Sequence, residues 1–388
     1  MNYAEKSLRL HEKNKGKIGI ISKVKVENKD DLSIFYTPGV AKPCKEIHAN
    51  IKNVYKYTSK ANLVAIVTDG SAVLGLGDIG PEASMPVMEG KAVLFKKFAN
   101  VDAFPICLNT KDVDEIVNVV KFISPTFGGI NLEDISSPRC FEIEKRLKKE
   151  LDIPVFHDDQ HGTAIVVSAA LINALRIIDK ELTKIKVVIS GAGSAGIAIT
   201  KMLLNLGVQD ILICGRNGIL HEDCYNNEYK NKIVKKVNKE RRGSIKDALI
   251  KADVFIGVSA GNVVTEDMIK NMNRDAIVFA LANPIPEIMP DLAIKAGARI
   301  VGSGRSDFAN QINNVLAFPG IFRGALDVGA KEINEEMKLA AAYAIANLIS
   351  DKQLKEDYII PNVFDKRVVD SVAMEVKYAA QKTGVSTI

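Results

Sequence analysis

Lys186-Val187-Val188-Ile189-Ser190-Gly191-Ala192-Gly193-Ser194-Ala195-Gly196 is the stretch of this 388-residue chain that decides its fold. The β-branched run up to Ser190 predicts a buried strand. A GxGxxG turn follows at once and opens a segment with helical periodicity. In such a turn the first glycine permits the bend, the second lets a pyrophosphate reach the backbone, and the third lets helix and strand pack closely. Because a helix N-terminus also attracts phosphates, the stretch predicts a dinucleotide site, the alternative being a packing turn without a ligand.

The end of the next predicted strand indicates which dinucleotide the chain accepts. NAD-binding units usually place an acidic residue there, which hydrogen-bonds the ribose 2′-hydroxyl. Here the position is Gly215, followed by Arg216. No carboxylate repels a 2′-phosphate, and a guanidinium can pair with it. We therefore expect NADP to be accepted, with NAD as the open alternative, unless Arg216 simply points to solvent.

Apolar runs alternate with helical patterns along most of the chain, which predicts parallel sheets covered by helices. The prediction is an α/β fold, with a Rossmann-type dinucleotide-binding domain and a second parallel α/β domain that carries the substrate and catalytic groups. Helical segments are expected at both termini. The expected boundaries are 1–157 for the substrate domain, 158–313 for the Rossmann domain, and 314–388 for a helical segment that packs back on the first domain. The strands of the first domain are predicted at 63–67, 103–108, 129–132 and 154–156, with helices at 89–98 and 113–122.

Two acidic motifs each follow a short apolar run, NLEDI at 131–135 and HDDQHGT at 157–163. The carboxyl ends of parallel strands meet at one edge of a sheet, where ligands bind. Carboxylates that converge there repel one another unless a hard cation such as Mg²⁺ or Mn²⁺ lies between them. The motifs therefore predict a metal-dependent site, and the alternative is two ordinary helix N-caps. The HxxxH spacing of His157 and His161 could also suggest zinc, but the surroundings are rich in oxygen, whereas zinc prefers nitrogen and sulfur.

A second GxGxxG occurs at 75–80, after Asp69, Gly70 and Ser71 have interrupted the preceding strand and directly before Pro81. We interpret it as a glycine-rich loop on the substrate side and not as a second cofactor turn.

Composition excludes several function classes. The net charge is +5, with 26% charged residues and no Trp. Since no basic stripe is interleaved with aromatic residues, nucleic-acid binding is not indicated. The five cysteines form no CxxC pair, which favours a reducing, cytoplasmic compartment. No secretory signal is recognised at 1–17, and the apolar run 339–349 is too short to span a bilayer, so no membrane association is expected.

Ten motifs in order carry a family resemblance. They are FYTPGVA (35–41), TDG (68–70), GLGDIG (75–80), PVMEGK (86–91), NLEDI (131–135), HDDQHGT (157–163), GAGSAG (191–196), ANP (282–284), GRSD (304–307) and NNVLAFPG (313–320). Together they resemble the malic enzyme family in its short bacterial form, over about residues 33–327.

The resemblance implies oxidative decarboxylation of L-malate to pyruvate and CO₂ with reduction of NAD or NADP, in a homodimer. It implies catalytic roles for Lys91 as the base, Tyr36 as the acid and Asp158 as the partner that orients Lys91, whose pKa we expect to be lowered. It implies metal binding by Glu133, Asp134 and Asp159. The implied cofactor-binding residues are Gly191, Gly193, Ser194, Ala195, Gly196, Arg216, Asn283 and Asn314, the two asparagines lying near the substrate carboxylate and the nicotinamide. The Tyr36 arm of one chain could serve the site of its neighbour.

The chain departs from the family pattern at Ala72, where longer malic enzymes carry an arginine that binds a malate carboxylate. The chain also ends before the acyltransferase-like extension of some bacterial relatives, so regulation tied to that extension is expected to be absent. Two other functions remain open. One is a metal-dependent 2-hydroxy-acid dehydrogenase or an oxaloacetate decarboxylase, and the other is a nucleotide-sensing protein without turnover.

Overall fold

The computed structural model describes residues 3–221, 228–238 and 241–387. The chain opens with four helices, α1 (Tyr3–Asn14), α2 (Lys29–Phe35), α3 (Ala41–Ala49) and α4 (Val54–Tyr57). Of the five cysteines, Cys224 lies outside the described residues.

The first α/β unit follows these helices. Its elements are β1 (Leu63–Thr68), α5 (Gly80–Ala99), β2 (Asp102–Cys107), α6 (Val113–Ile123), β3 (Gly129–Leu132), α7 (Arg139–Glu150) and β4 (Val155–His157). The four strands are all parallel and lie in the order β2-β1-β3-β4. Strand β1 is almost fully buried, as expected for a strand covered by helices on both faces. The four predicted strands are confirmed to within a residue or two.

The second unit contains the larger sheet. Its elements are α8 (Asp158–Ile178), β5 (Lys186–Ser190), α9 (Ser194–Asn205), β6 (Asp210–Gly215), β7 (Gly218–Ile219), α10 (Glu228–Val237), α11 (Ile245–Leu249), β8 (Val254–Gly257), α12 (Glu266–Lys270), β9 (Ile277–Ala280), α13 (Pro290–Lys295) and β10 (Ile300–Ser303). The strand order is β10-β9-β8-β5-β6-β7, with β7 antiparallel to β6 and the other strands parallel. The predicted α/β fold with two parallel sheets is confirmed.

Two helices differ from the sequence prediction. Helix α5 begins at Gly80 and not near residue 89. Pro81 lies in its first turn, where proline is tolerated, and Pro86 lies inside the helix, where proline is unusual. Helix α8 is longer than the run at 339–349. In the described part of the chain it is the one helix long and apolar enough to cross a membrane, but 72% of its apolar stretch is buried inside the protein. It packs against α9 and another helix of the C-terminal segment, so it is a core helix.

The C-terminal segment consists of α14 (Phe318–Asp327), α15 (Glu335–Asn347) and α16 (Arg367–Lys382). Helix α14 packs against α5 of the first unit, and α15 packs against α8. The contact with the first unit is aromatic. Phe322 lies 5.3 Å from Phe95 on α5 and 5.9 Å from Phe156 on β4, measured between ring centroids. The division of the chain at residues 157 and 313 stays a prediction, since one continuous core joins the two units and this segment.

Replacement of Phe322 by alanine is expected to destabilise the protein by about 3 kcal/mol, because it leaves a cavity between three packed aromatic rings. Thermal unfolding measures the effect. Phe122→Ala is the matched control, since Phe122 is 79% exposed on α6 and should leave the melting temperature nearly unchanged. Equal melting temperatures for both variants would contradict the role of this aromatic contact.

Candidate active site

The carboxyl ends of β3 and β4 bring the acidic motifs together. Leu132 pairs with His157 in the parallel register, so the next residues, Glu133 and Asp158, leave the sheet edge side by side. Glu133, Asp134 and Asp158 are buried, and Asp159 is partly buried at the start of α8. The predicted convergence of carboxylates at one sheet edge is therefore what the structure contains.

Lys91 enters this cluster from α5. Its Nζ donates a hydrogen bond to Glu133 Oε1 at 3.0 Å and another to Asp158 Oδ2. The same ammonium lies 4.0 Å from the centroid of the Phe318 ring on α14, within the range of a cation–π contact. The Lys91 ammonium is thus fixed by groups from three different elements.

The electrostatics of the cluster favour a protonated Lys91. Burial tends to lower its pKa, but the negative charges of Asp158 and Glu133 outweigh burial and raise it. The lowered Lys91 pKa that we expect depends on a positive charge from the metal, and without that charge the carboxylates keep the lysine protonated. Among the carboxyls, burial and repulsion between neighbours raise the pKa of Asp134 to about 9. Burial also raises the pKa of Asp158, but the Lys91 ammonium opposes that rise and favours the carboxylate. Burial also raises the pKa of Glu133 and of Asp159.

The donor set fits a hard divalent cation. Four carboxylates face a single ammonium, all donors are oxygens, and Asp158 Oδ1 is buried without a hydrogen-bond partner. The loop geometry is consistent with this, since Asp134 has a positive φ of 54° and its backbone N–H donates to Asp159 Oδ2 at 2.8 Å. Within the described ranges no three His, Cys, Asp or Glu side chains already surround a common point as a metal cage. The Glu133 carboxylate is instead held by Lys91 and by Asn131, which donates to Oε2 at 2.8 Å.

The two histidines of the HxxxH spacing are directed to different surroundings. His157 is fully buried with no hydrogen-bond partner at either ring nitrogen. The Nε2 atom of His161 lies 2.7 Å from Glu144 Oε1 on α7. Within the described residues they share no hydrogen-bond partner, and His157 Nδ1 lies 3.8 Å from Asp159 Oδ2.

Of the two predicted asparagines, only Asn314 contacts the cluster in the described structure. Asn314 Nδ2 donates to Asp158 Oδ2 at 2.6 Å, and a Cβ at Gly162 would meet Asp158 Oδ1 at 1.8 Å, so only glycine leaves room for that carboxylate. Asn283 is further away. Its backbone carbonyl lies close to Gly75, in the glycine-rich loop between β1 and α5. That loop therefore meets the second unit near Asn283, consistent with its interpretation as a substrate-side loop.

The turn after β5 has the geometry expected of a dinucleotide site. Gly191 has a φ of 111°, and a Cβ there would lie 2.4 Å from Val258 O. A Cβ at Gly196 would lie 1.9 Å from Gly191 O, so this glycine permits the close packing of helix and strand. A Cβ at Gly193 meets no atom within 4 Å, which leaves the backbone open to an approaching ligand. Ser194 and Ala195 begin α9 without a side-chain cap, and their N–H groups suit a phosphate.

Three further positions from the sequence analysis lie away from the lysine–carboxylate contacts. Arg216 follows β6 as an exposed side chain with no hydrogen bond or ion pair to the described residues. Tyr36 is 67% exposed at the end of α2, and no hydrogen bond joins it to Lys91 within the described part of one chain. Ala72 donates its backbone N–H to the Asp134 carbonyl at 2.9 Å, so the loop that lacks the arginine contacts the acidic motif.

Sequence reasoning missed one residue that holds the segment before the glycine-rich loop in place. Arg139, in the first turn of α7, donates to Asp69 Oδ2 at 2.6 Å and to Ser71 Oγ at 2.9 Å. It thereby holds the residues that precede Ala72. No local pattern could have indicated it, because about seventy residues separate the partners.

A dinucleotide turn on one parallel sheet, beside a buried lysine–carboxylate cluster on another, defines a dinucleotide-dependent α/β oxidoreductase. The chain belongs to the malic enzyme family. The model of the malic enzyme N-terminal domain matches residues 13–113 and 109–148, and that of the malic enzyme NAD-binding domain matches 160–382.

Relatives of known name support this assignment. The chain is 60% identical to the bifunctional malic/malolactic enzyme of Bacillus subtilis, over 100% of this chain and 95% of that protein. It is 60% identical to the NAD-dependent malic enzyme of Geobacillus stearothermophilus, over 96% of this chain and 78% of that one. Relatives named as NADP-dependent match at 46–48% identity. The crystal structure of a malic enzyme from Pyrococcus horikoshii superposes with a TM-score of 0.94 at 49% identity, covering 99% of this chain and 92% of that one.

Gly193→Ala tests the dinucleotide turn. The added methyl group meets no protein atom, so the melting temperature should stay unchanged, while it obstructs a pyrophosphate and weakens NAD(P)⁺ binding by at least about tenfold. Gly19→Ala is the control, because its Cβ also meets nothing within 4 Å but lies in the N-terminal arm. Isothermal titration with both cofactors measures the difference, and unchanged affinity in Gly193→Ala would place the cofactor elsewhere.

Proposed function

We propose that this protein catalyses the oxidative decarboxylation of L-malate to pyruvate and CO₂, with reduction of NAD⁺ or NADP⁺ and dependence on a divalent metal. The observation that carries the proposal is the buried contact of Lys91 with Asp158 and Glu133, beside Asn314, in a chain that matches malic enzymes along almost its whole length.

Lys91 is the proposed base for the malate C2 hydroxyl. Its side chain is buried, and Asp158 and Glu133 hold its Nζ on the side of α5 that faces the acidic motifs. Asp158 accepts hydrogen bonds from both Lys91 and Asn314, so it orients the lysine and can take up a proton from it. A cation among these carboxylates would cancel the charge that keeps Lys91 protonated, and the Lys91 pKa would then fall toward the range of a base.

Glu133, Asp134 and Asp159 are the residues proposed to hold Mg²⁺ or Mn²⁺. The ion supplies Lewis-acid polarisation of the substrate oxygen, and the nicotinamide supplies the two-electron acceptor. The chain's own part is to converge oxygen ligands from β3 and from the first turn of α8. Asn131 and the Asp134 N–H orient two of these carboxylates.

Tyr36 is the proposed acid that protonates C3 after CO₂ has left, acting in the site of a partner subunit. Two features support this. Tyr36 is exposed and unconnected to the cluster of its own chain, and the arm around it exposes a row of large apolar side chains that a monomer would leave in water. These are Ile20, Ile21, Leu32, Ile34 and Phe35. A homodimer with shared active sites follows from the proposal.

Arg216 supports a preference for NADP over NAD. Its guanidinium is exposed at the end of β6 and can pair with a 2′-phosphate, and Gly215 offers no carboxylate for a 2′-hydroxyl. With no arginine at Ala72, we propose that the amides of Asn283 and Asn314 contact the malate carboxylate. The cytoplasm is the proposed compartment, supported by free thiols at Cys44, Cys107, Cys140 and Cys214.

Product analysis tests the proposed reaction. Incubation of the enzyme with L-malate, Mn²⁺ and either cofactor should give pyruvate and reduced cofactor in equal amounts, and EDTA should abolish both. Oxaloacetate without pyruvate would indicate a dehydrogenase that does not decarboxylate. Lactate without net cofactor reduction would indicate malolactic turnover, which the name of the Bacillus subtilis relative makes the second candidate. No turnover with any combination would favour a nucleotide-sensing protein.

In the same assay Lys91→Ala should lower kcat by about a thousandfold, because it removes the proposed base. Lys97→Ala is the control, since it removes an exposed lysine from the same helix. Near-normal turnover in Lys91→Ala would show that another group is the base.

Gly215→Asp should shift the ratio of kcat/KM for NAD⁺ over NADP⁺ by at least about tenfold toward NAD⁺, because a carboxylate there accepts the 2′-hydroxyl and repels a 2′-phosphate. Gln209→Glu adds one negative charge just before the opposite end of the same strand and serves as the control. An unchanged ratio would mean that this strand end does not contact the 2′ position.

Mixed dimers test whether the active site is shared. Lys91→Ala and Tyr36→Ala chains should each be inactive alone, but refolding them together should restore about one quarter of the wild-type activity. Half of the randomly formed dimers are mixed, and one of their two sites then keeps both groups. No restoration in demonstrably mixed dimers would show that Tyr36 acts within its own chain or not at all.

A further inference from the structure

A cavity of about 360 Å³ lies between α7, α8, α9, α10 and α15. Its walls include none of the predicted catalytic, metal or cofactor residues. The volume is within the range of small-molecule sites. It opens where the first unit, the second unit and the C-terminal segment meet.

The cavity wall carries an excess of positive charge. Four lysines line it, Lys145, Lys148, Lys201 and Lys338, against two glutamates, Glu144 and Glu335. His161 also lines the cavity, and its Nε2 atom is engaged by Glu144. Lys148 is paired with Glu144 at 2.6 Å, whereas Lys201 makes no hydrogen bond or ion pair with the described residues.

Lys338 is the most unusual of these lysines, because its side chain is only about 4% exposed and is nevertheless ionisable. Its Nζ donates to Glu335 Oε1 at 2.7 Å and to His161 Nδ1 at 3.1 Å. Glu335 is itself mostly exposed, so it compensates a buried ammonium only in part. Burial, followed by the charge of Lys148, lowers the pKa of Lys338 to about 8, although Glu335 and Glu144 oppose the shift.

We propose that this cavity binds a small anion with two or more negative charges, carried by phosphate or carboxylate groups. Lys148, Lys201 and Lys338 come from three different elements, α7, α9 and α15, so one oxyanion would join them. The glutamates leave room for it, since Glu144 is already engaged by Lys148, His161 and Gln160. The α9 residues that line the cavity, Ala198, Lys201 and Met202, follow the glycine turn along the helix, and no residue of the turn itself lines it.

Charge reversal at Lys201 tests the proposal, because that side chain is exposed and its loss should not unfold the protein. Isothermal titration at constant ionic strength with inorganic phosphate, and separately with glutarate, measures binding to the full chain. Lys201→Glu should weaken binding by at least about tenfold, equivalent to about 1.4 kcal/mol. Lys149→Glu is the matched control, since it makes the same charge change on an exposed α7 residue that does not line the cavity.

A second variant, Lys338→Met, removes the buried ammonium with little change of shape and should show the same loss, provided that its melting temperature shows a folded protein. Binding of phosphate alone would indicate a phosphoryl ligand, and binding of glutarate alone a carboxylate ligand. The proposal is overturned if neither probe binds, if Lys201→Glu binds as tightly as wild type, or if Lys149→Glu loses as much affinity as Lys201→Glu.

Discussion

The contact of one buried ammonium with two buried carboxylates is the constraint on which the rest of the site depends. A charged group in a dry interior is costly unless its partners are held in place, and removing one partner leaves an uncompensated charge. Lys91, Glu133 and Asp158 come from α5, from the end of β3 and from the start of α8, so these three elements must meet in one arrangement. The Phe318 ring of α14 packs against this ammonium and against Phe95, and electrostatic contacts are stronger in such a buried environment than in water.

The features that could be predicted from the sequence are those with a local cause. Strands β1 and β5 are apolar runs rich in valine and isoleucine, and parallel strands buried on both faces need little else to be recognised. The turn at Gly191 was predictable because each glycine answers a separate steric demand, and a Cβ at Gly191 or Gly196 would indeed collide with backbone oxygen. The meeting of Glu133 with Asp158 followed from the rule that parallel strand ends share one edge.

The features that could not be predicted arise between segments distant in the chain. The pKa of Lys91 depends on the opposing effects of burial and of the surrounding carboxylates, and the identities of the site residues alone do not say which effect is larger. Arg139 and the Glu144–His161–Lys338 chain of contacts join residues that only folding brings together. Helix α5 extends further toward the N-terminus than the predicted segment 89–98, and it accommodates two prolines in its first half. Tyr36 lies on an arm whose exposed apolar residues give no indication, in one chain, of what covers them.

Helix α8 has a mechanical consequence. Its first turn carries Asp158 and Asp159, and over 21 residues, or about 30 Å, it extends into the core of the dinucleotide-binding unit. As a continuous buried helix it transmits displacement along its axis and resists bending. Glu133 and Asp134, in contrast, are attached to the smaller sheet. A divalent ion bound by these residues and Asp159 would therefore connect the smaller sheet to helix α8. Binding of that one ion would also fix the orientation of the two units relative to each other.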